Sequence, residues 1–238
     1  ATPLVLNEVL AAPGSQTNSD GSVADWVELY NPSPTDLALG GMSLTDDSPT
    51  THRWVFPAGL TLPAGSRRLV KFDGNAPAST NDATLLNTGF GLNNSGDAVY
   101  LYSASATLLD SVVFGPQADG FSLARVPDAS GDWTLALPTP GSGNLAAELG
   151  STADVRINEW AASVANGPDW FELYNAGLQP VALGGLYLTD KLNNRTKHLV
   201  APLSFLGTAT NGFLKFIADG DTASEGYVDR WVVYGQVK

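Results

Sequence analysis

Two pairs of carboxylates carry the clearest chemical potential in this chain. Glu8 and Glu28 recur as Glu159 and Glu172, and Asn7 and Asn158 precede the first member of each pair. Paired carboxylates perform acid and base work in glycoside hydrolysis when they face each other across a cleft at a defined separation. The stronger reading is structural: each pair lies on neighbouring strands and accepts hydrogen bonds from loop backbone or an arginine. A fold supplies no site by itself, and a pair in each of two copies suits a structural device. No residue is assigned a catalytic role, and the chain is expected not to be an enzyme.

The remaining candidates are thinner. The chain has two histidines, His52 and His198, placed at near-equivalent positions before a strand. A Ser-His-Asp triad needs a base oriented by a third group, and no Gly-x-Ser-x-Gly elbow presents a nucleophile. Both read as strand-edge residues. Asn18-Ser19-Asp20-Gly21 invites a calcium reading, but an EF-hand register puts Gln16 and Val27 where its key carboxylates belong. The turns Asp73-Gly74-Asn75 and Asp219-Gly220-Asp221 read as hairpin chemistry. The cofactor expectation is none, with a calcium site built from loops of both domains kept open beside it. Trp26, Trp54, Trp133, Trp160, Trp170 and Trp231 could form a carbohydrate-stacking platform. In β-sandwiches such rings more often fill or cover the core. Trp160, standing where the first copy has Val9, is expected to pack at the domain junction.

The elements that position these residues are written twice. Asp25-Trp26-Val27-Glu28-Leu29-Tyr30-Asn31 returns as Asp169-Trp170-Phe171-Glu172-Leu173-Tyr174-Asn175. At one common spacing follow Leu39-Gly40-Gly41-Met42-Ser43-Leu44-Thr45-Asp46 and Leu183-Gly184-Gly185-Leu186-Tyr187-Leu188-Thr189-Asp190. A repeat this long is a tandem pair of domains rather than a solenoid. The expected division is a sandwich over 1–144, a linker over 145–154 and a second, truncated or divergent sandwich over 155–238.

Helical periodicity is nearly absent. Short runs of Val, Leu, Phe, Trp, Tyr and Thr alternate with turn clusters, the all-β pattern. Strands are expected near 4–10, 25–31, 42–46, 53–56, 67–72, 98–102, 111–114, 122–125 and 132–135, which suggests a two-sheet sandwich. Alternation puts Val27 and Leu29 in the core, with Trp26 and Tyr30 flanking Glu28 on the opposite, partly covered face. Gly40-Gly41 should turn the chain tightly into the next strand. In the second copy Phe213-Leu214-Lys215-Phe216 answers Leu69-Val70-Lys71-Phe72, and Arg230–Tyr234 offers a last strand. The late motifs of the first copy do not return. A copy cut short and a copy completed by other strands both stay open, and an incomplete sandwich has edges that invite pairing with another chain.

Composition narrows the partners. A hydrophobic content of 43% supports real cores, and 25 glycines with 15 prolines supply the turns. The net charge of −12, with only 12 basic residues, argues against phosphate-driven nucleic-acid binding. No apolar run is long enough to span a bilayer as a helix, so no membrane insertion is expected. Cysteine is absent, which removes disulfides and thiolate zinc sites. Ala1-Thr2-Pro3 is compatible with a mature terminus left by signal cleavage.

These motifs together resemble the bacterial lamin-tail domain. The resemblance is carried by Leu6-Asn7-Glu8 and Ile157-Asn158-Glu159, the Asp-Trp-Val/Phe-Glu-Leu-Tyr-Asn stretches and the Leu-Gly-Gly-x-x-Leu-Thr-Asp blocks. It continues in Phe90–Asp97, Leu109–Val112 and Asp132-Trp133 to Pro138-Thr139-Pro140-Gly141. It implies an immunoglobulin-like β-sandwich in tandem, the second copy partial. It also implies a non-catalytic binding or scaffolding module of a secreted or cell-surface bacterial protein, mediating protein interaction or assembly. The alternative is an accessory carbohydrate-binding module of a larger extracellular hydrolase. Partners would be protein or cell-surface polysaccharide, with self-association through the second domain. Chromatin binding, known for the tail of nuclear lamins, is not carried over, because the acidity opposes it.

Overall fold

Period-two patterning and frequent turn residues produce short strands throughout a computed structural model, which describes residues 4–82, 84–163, 165 and 167–218. The first copy contains β1 (Val5–Leu10), β2 (Asp25–Tyr30), β3 (Leu37–Ala38), β4 (Ser43–Thr45), β5 (Trp54–Val55), β6 (Thr61–Leu62) and β7 (Arg67–Phe72). It continues with β8 (Leu86–Asn87), β9 (Asp97–Tyr102), β10 (Leu108–Phe114), β11 (Ser122–Val126), β12 (Asp132–Leu137) and β13 (Leu145–Ala146). The second contains β14 (Val155–Ala161), β15 (Asp169–Asn175), β16 (Val181–Ala182), β17 (Tyr187–Leu188), β18 (His198–Leu199), β19 (Phe205–Leu206) and β20 (Phe213–Ala218). The suggested strand Arg230–Tyr234, the turn at Asp219 and Trp231 lie outside the described residues.

The chain divides into two units, Ala1–Val113 with Gly120–Ala147, and Phe114–Asp119 with Glu148–Lys238. In the first, one sheet runs β13-β12-β11-β1-β2-β7-β8 and a second runs β10-β9-β4-β5, with β3 and β6 paired separately. This is an immunoglobulin-like all-β architecture. Val27, Leu29, Leu44, Val70, Val99 and Leu101 are among its fully buried side chains. Four two-residue strands (β3, β6, β8 and β13) escape the sequence reading because two residues show no alternation.

The face opposite the core departs from expectation. Trp26 and Glu28 are buried outright rather than partly covered, so the middle of β2 is enclosed on both sides.

In the second unit β14, β15 and β20 form a three-stranded sheet, joined by the pairs β16–β19 and β17–β18. Its core is Phe171, Leu173, Val181, Leu183, Leu188, Val200, Leu206 and Phe216. The segment Phe114–Asp119 is tied into it: Phe205 N–H donates to Pro116 O at 2.7 Å and Gln117 Nε2 to Leu203 O at 2.7 Å.

Register corrects two equivalences. Tyr30 faces Arg67 and Tyr174 faces Phe213, so Phe213-Leu214-Lys215-Phe216 answers Arg67-Arg68-Leu69-Val70, two residues earlier than the residue types suggest. A shift of two keeps every side chain on its face, which is why the pattern could not reveal it. Likewise Leu44 faces Trp54 and Leu188 faces His198, so His198 stands where Trp54 does, not His52.

Candidate functional site: a closed carboxylate network and its open counterpart

Glu8 and Glu28 face each other across β1 and β2, next to a bulge that the register places between Leu6 and Glu8. The extra residue re-aims the side chains around it. Asn7 thereby turns towards the same side as the carboxylates, donating from Nδ2 to Glu28 Oε1 at 3.1 Å and Asp128 Oδ1 at 3.0 Å.

Every carboxylate oxygen of the pair is occupied. Glu8 Oε1 accepts from Ser122 Oγ at 2.6 Å and Thr139 N–H at 3.0 Å, and Oε2 from Thr139 Oγ1 at 3.2 Å. Glu28 Oε2 accepts from Gly141 N–H at 2.6 Å, and Arg67 Nε lies 3.3 Å from its Oε1. Arg67 also donates to Asp128 at 2.8 Å and stacks its guanidinium over Tyr30. Asn144 closes the set, donating to the carbonyls of Asn7 and Arg125 at 2.9 Å each. Burial pushes Glu8 up to about 7, the donors from Ser122 and Thr139 opposing it and the charge of Glu28 adding to it. Glu28 is raised for the same reason, against Gly141, Asn7 and Arg67. Both residues are 0% exposed. Each carboxylate oxygen already has a protein partner, the arrangement of a buried structural strut.

The second copy repeats the acceptors. Register shifts between Ile157 and Glu159, and Glu159 faces Glu172. Asn158 Nδ2 donates to Glu172 Oε1 at 2.8 Å, reproducing the bond from Asn7 to Glu28. The surroundings differ. Asn158 and Glu159 are exposed and Glu172 half-buried. Phe213 replaces Arg67, stacking on Tyr174 at 4.7 Å, while Lys215 sits over the Trp170 ring at 4.4 Å. Among the described residues β14 has β15 as its single strand neighbour, whereas β1 lies between β2 and β11.

The turn ends of the two copies match. Asn31 Nδ2 donates to Thr35 O, Leu62 O and Pro63 O at 2.9–3.1 Å, and its Oδ1 accepts from Ser33. Asn175 Nδ2 donates to Gln179 O and Gly207 O at 2.8 Å, and its Oδ1 accepts from Gly177 N–H. Gly41 and Gly185 both have φ +86°, which disfavours any side chain. A Cβ at Gly40 or Gly184 would press on the backbone of 57–59 or 201–203 at 3.2–3.4 Å. Asp46 pairs with Arg53 and Asp190 with Lys197.

The other candidates resolve individually. Asp20 is bound to Lys71 at 2.8 Å and to Ser22, and Asn75 N–H caps Asp73. No group of three potential ligands able to hold a metal occurs among the described residues. His52 is exposed beside Thr51, while His198 is half-buried and lowered to about 4 by desolvation, then by Lys197. Trp26 and Trp54 are buried, the latter donating to Ser79 O. Trp133 lies under Arg125. Trp160 is 71% exposed rather than packed.

One feature of the first unit escaped the sequence reading. An open, shallow depression of about 600 Å³ is lined by Asp25, Asp46, Asn93, Asn94 and Asp97 among others. Asp25 accepts from Leu92 N–H at 2.8 Å, and burial raises it to about 7. Asp169 instead is exposed, accepting from Ser163 N–H.

Strand order defines an immunoglobulin-like sandwich whose first unit holds an inward carboxylate network. Residues 1–116 match the family model of the Lamin Tail Domain, a non-catalytic immunoglobulin-like domain. The match stops short of Ser122, Thr139, Gly141 and Asn144, which close the network. No curated protein matches the chain.

Proposed function

We propose that the chain is a non-catalytic binding and scaffolding segment of a secreted or cell-surface bacterial protein. It comprises two lamin-tail-like sandwiches, 1–144 and 155–238, joined by 145–154, and it acts through protein interaction or assembly. The observation that carries this reading is β14. Among the described residues it is an outer strand, with exposed Ile157 and Trp160, whose first-copy counterparts Leu6 and Val9 are buried. An unpaired apolar strand edge is a template for another chain. The family motif residues, Asn7, Glu8, Asp25, Trp26, Glu28, Tyr30, Asn31, Gly40, Gly41, Asp46 and their repeats, are assigned structural roles.

Light scattering coupled to size exclusion tests the reading. The full chain should show mass above the monomer that rises with concentration, and Trp160→Glu should return it to monomer. A second reading, an accessory carbohydrate-binding module, is favoured by the exposed rings of Trp160, Tyr187 and Phe213. A strict monomer that is retarded in a gel containing polysaccharide, with Trp160→Ala abolishing the retardation, would move the assignment there.

A further inference from the structure

Among the described residues, the hydrogen-bond partners of Glu8 are all neutral. Arg67, on β7, lies 3.3 Å from Glu28 Oε1 and 2.8 Å from Asp128 Oδ2, so its guanidinium is shared between those two. Lys71, further along the same face of that strand, is held by Asp20 at 2.8 Å and Asp73 at 3.5 Å. Glu8 instead meets the Ser122 hydroxyl and the Thr139 amide and hydroxyl. Directly opposite it on β2 stands Glu28. From β11 and β12 come Ser122, Ala124, Thr134 and Ala136, none of them charged, and Asp132 at the start of β12 is exposed. A fully buried carboxylate that faces a second one and meets neutral partners is destabilised by desolvation and by like charge together.

The hydrogen-bond pattern places the proton. Oε1 already takes two donors, Ser122 Oγ at 2.6 Å and Thr139 N–H at 3.0 Å. Oε2 has the Thr139 hydroxyl at 3.2 Å, and a hydroxyl oxygen accepts as readily as it donates. A protonated Oε2 therefore donates to Thr139 Oγ1, whose own hydrogen turns to Asn144 Oδ1 at 3.5 Å. The rise of Glu8 to about 7 agrees with this placement.

The cover over Glu8 is unequal. β2 and β11 flank β1 within the sheet. Residues 138–144 contain no strand, and 140–143 are exposed. The network itself holds this segment down. Thr139 sits on Glu8, Gly141 N–H donates to Glu28 at 2.6 Å, and Asn144 N–H donates to Asp128 at 3.2 Å. Asn144 Nδ2 adds its bonds to the Asn7 and Arg125 carbonyls. Of the walls around Glu8, this one lifts without breaking a strand ladder.

We propose that Glu8 is a proton-operated latch: as the neutral acid it keeps residues 138–144 closed over the carboxylate pair, and as the carboxylate it releases them. On ionisation the Oε2 proton passes to water, and opening hydrates the two facing charges. The latch is separate from the binding reading of β14 and stands or falls without it.

Hydrogen exchange of the Thr139 and Gly141 amides in the full chain, followed by NMR from pH 5 to 8 and corrected for intrinsic rates, tests the latch. Opening should grow about tenfold per pH unit from 5 to 7 and level off above, because the closed form binds a proton that the open form releases. In Glu8→Gln, whose amide copies the neutral acid, the slope should vanish. In Glu28→Gln it should persist and level off at lower pH, since the like charge is gone. A carbon-13 titration of the Glu8 carboxyl in the unsubstituted chain gives an answer even where Glu8→Gln fails to fold: the group should remain protonated at pH 5.5. Ionised Glu8 at that pH, opening that ignores pH, or a slope that survives in Glu8→Gln would each overturn the proposal. A slope removed by Glu28→Gln would overturn it as well, moving the proton to Glu28. So would Thr139 and Gly141 exchanging at the rate of the Val27 amide in the middle of β2, because the opening would then be unfolding of the whole unit.

Discussion

The two copies agree at their turn ends and diverge at their first strands. Asn31 and Asn175 clamp their loops through the same carbonyl bonds, and Gly41 and Gly185 share one backbone angle. β1 is buried along its length, whereas residues 156–160 of β14 are exposed. The difference follows sequence distance. The Asn clamps close on partners a few to a few tens of residues away, and both copies contain those partners. The carboxylate network of the first copy closes on Ser122, Thr139 and Gly141, each more than 100 residues from its acceptor. Local motifs fold wherever they are written. Long-range ones need their partner segment.

The largest test of this contrast is truncation of the two equivalent apolar residues. Leu6→Ala empties a fully buried site and should cost about 3 kcal/mol, against less than about 1 for Ile157→Ala. Urea unfolding followed by separate reporters in each copy would measure both, and equal losses would break the comparison.

Acidity should act on the copies with opposite sign. Glu8 and Asp25 are raised to about 7 by burial, so between their ordinary values and 7 the folded state binds more protons than the unfolded chain. Their contribution is fully present below about 4 and is lost as pH rises through 7, on the order of 2 kcal/mol for the fully buried Glu8. His198 is lowered to about 4. Its contribution is present above its ordinary value and is lost as pH falls towards 4. Melting of first-copy reporters should therefore move to lower temperature from pH 5 to 8, while second-copy reporters move to higher temperature from pH 4 to 6.5.

Asn31→Ala and Asn175→Ala should cost about 2 kcal/mol each, because each leaves buried carbonyls without a donor. Similar losses in the two copies would sharpen the view that the turn clamp is self-contained. The smallest effects belong to the exposed ion pairs. Arg53→Ala and Lys197→Ala should each change stability by less than about 1 kcal/mol in denaturant titrations, and the difference should vanish in high salt.

Much of this was readable from residue types. Alternation assigned Val27 and Leu29 to the core, where both are fully buried, and Gly40-Gly41 marked a turn. Two-residue strands were invisible, having no period to detect. The bulge at Asn7 was also hidden, since one extra residue looks like any other until a partner strand supplies the register. Trp160 was misplaced because an aromatic ring at a core position says nothing about whether anything covers it.

Period, turn chemistry and short-range clamps are properties of neighbouring residues, so the sequence alone determined the all-β character and both Asn-anchored turns. Whether a glutamate becomes a buried, fully bonded strut, as Glu8 does, or an exposed acceptor, as Glu159 does, was decided only by tertiary structure. The same Asn-Glu on the same bulge is desolvated in one copy and hydrated in the other. What separates them is a distant strand and loop that bring donors and exclude water.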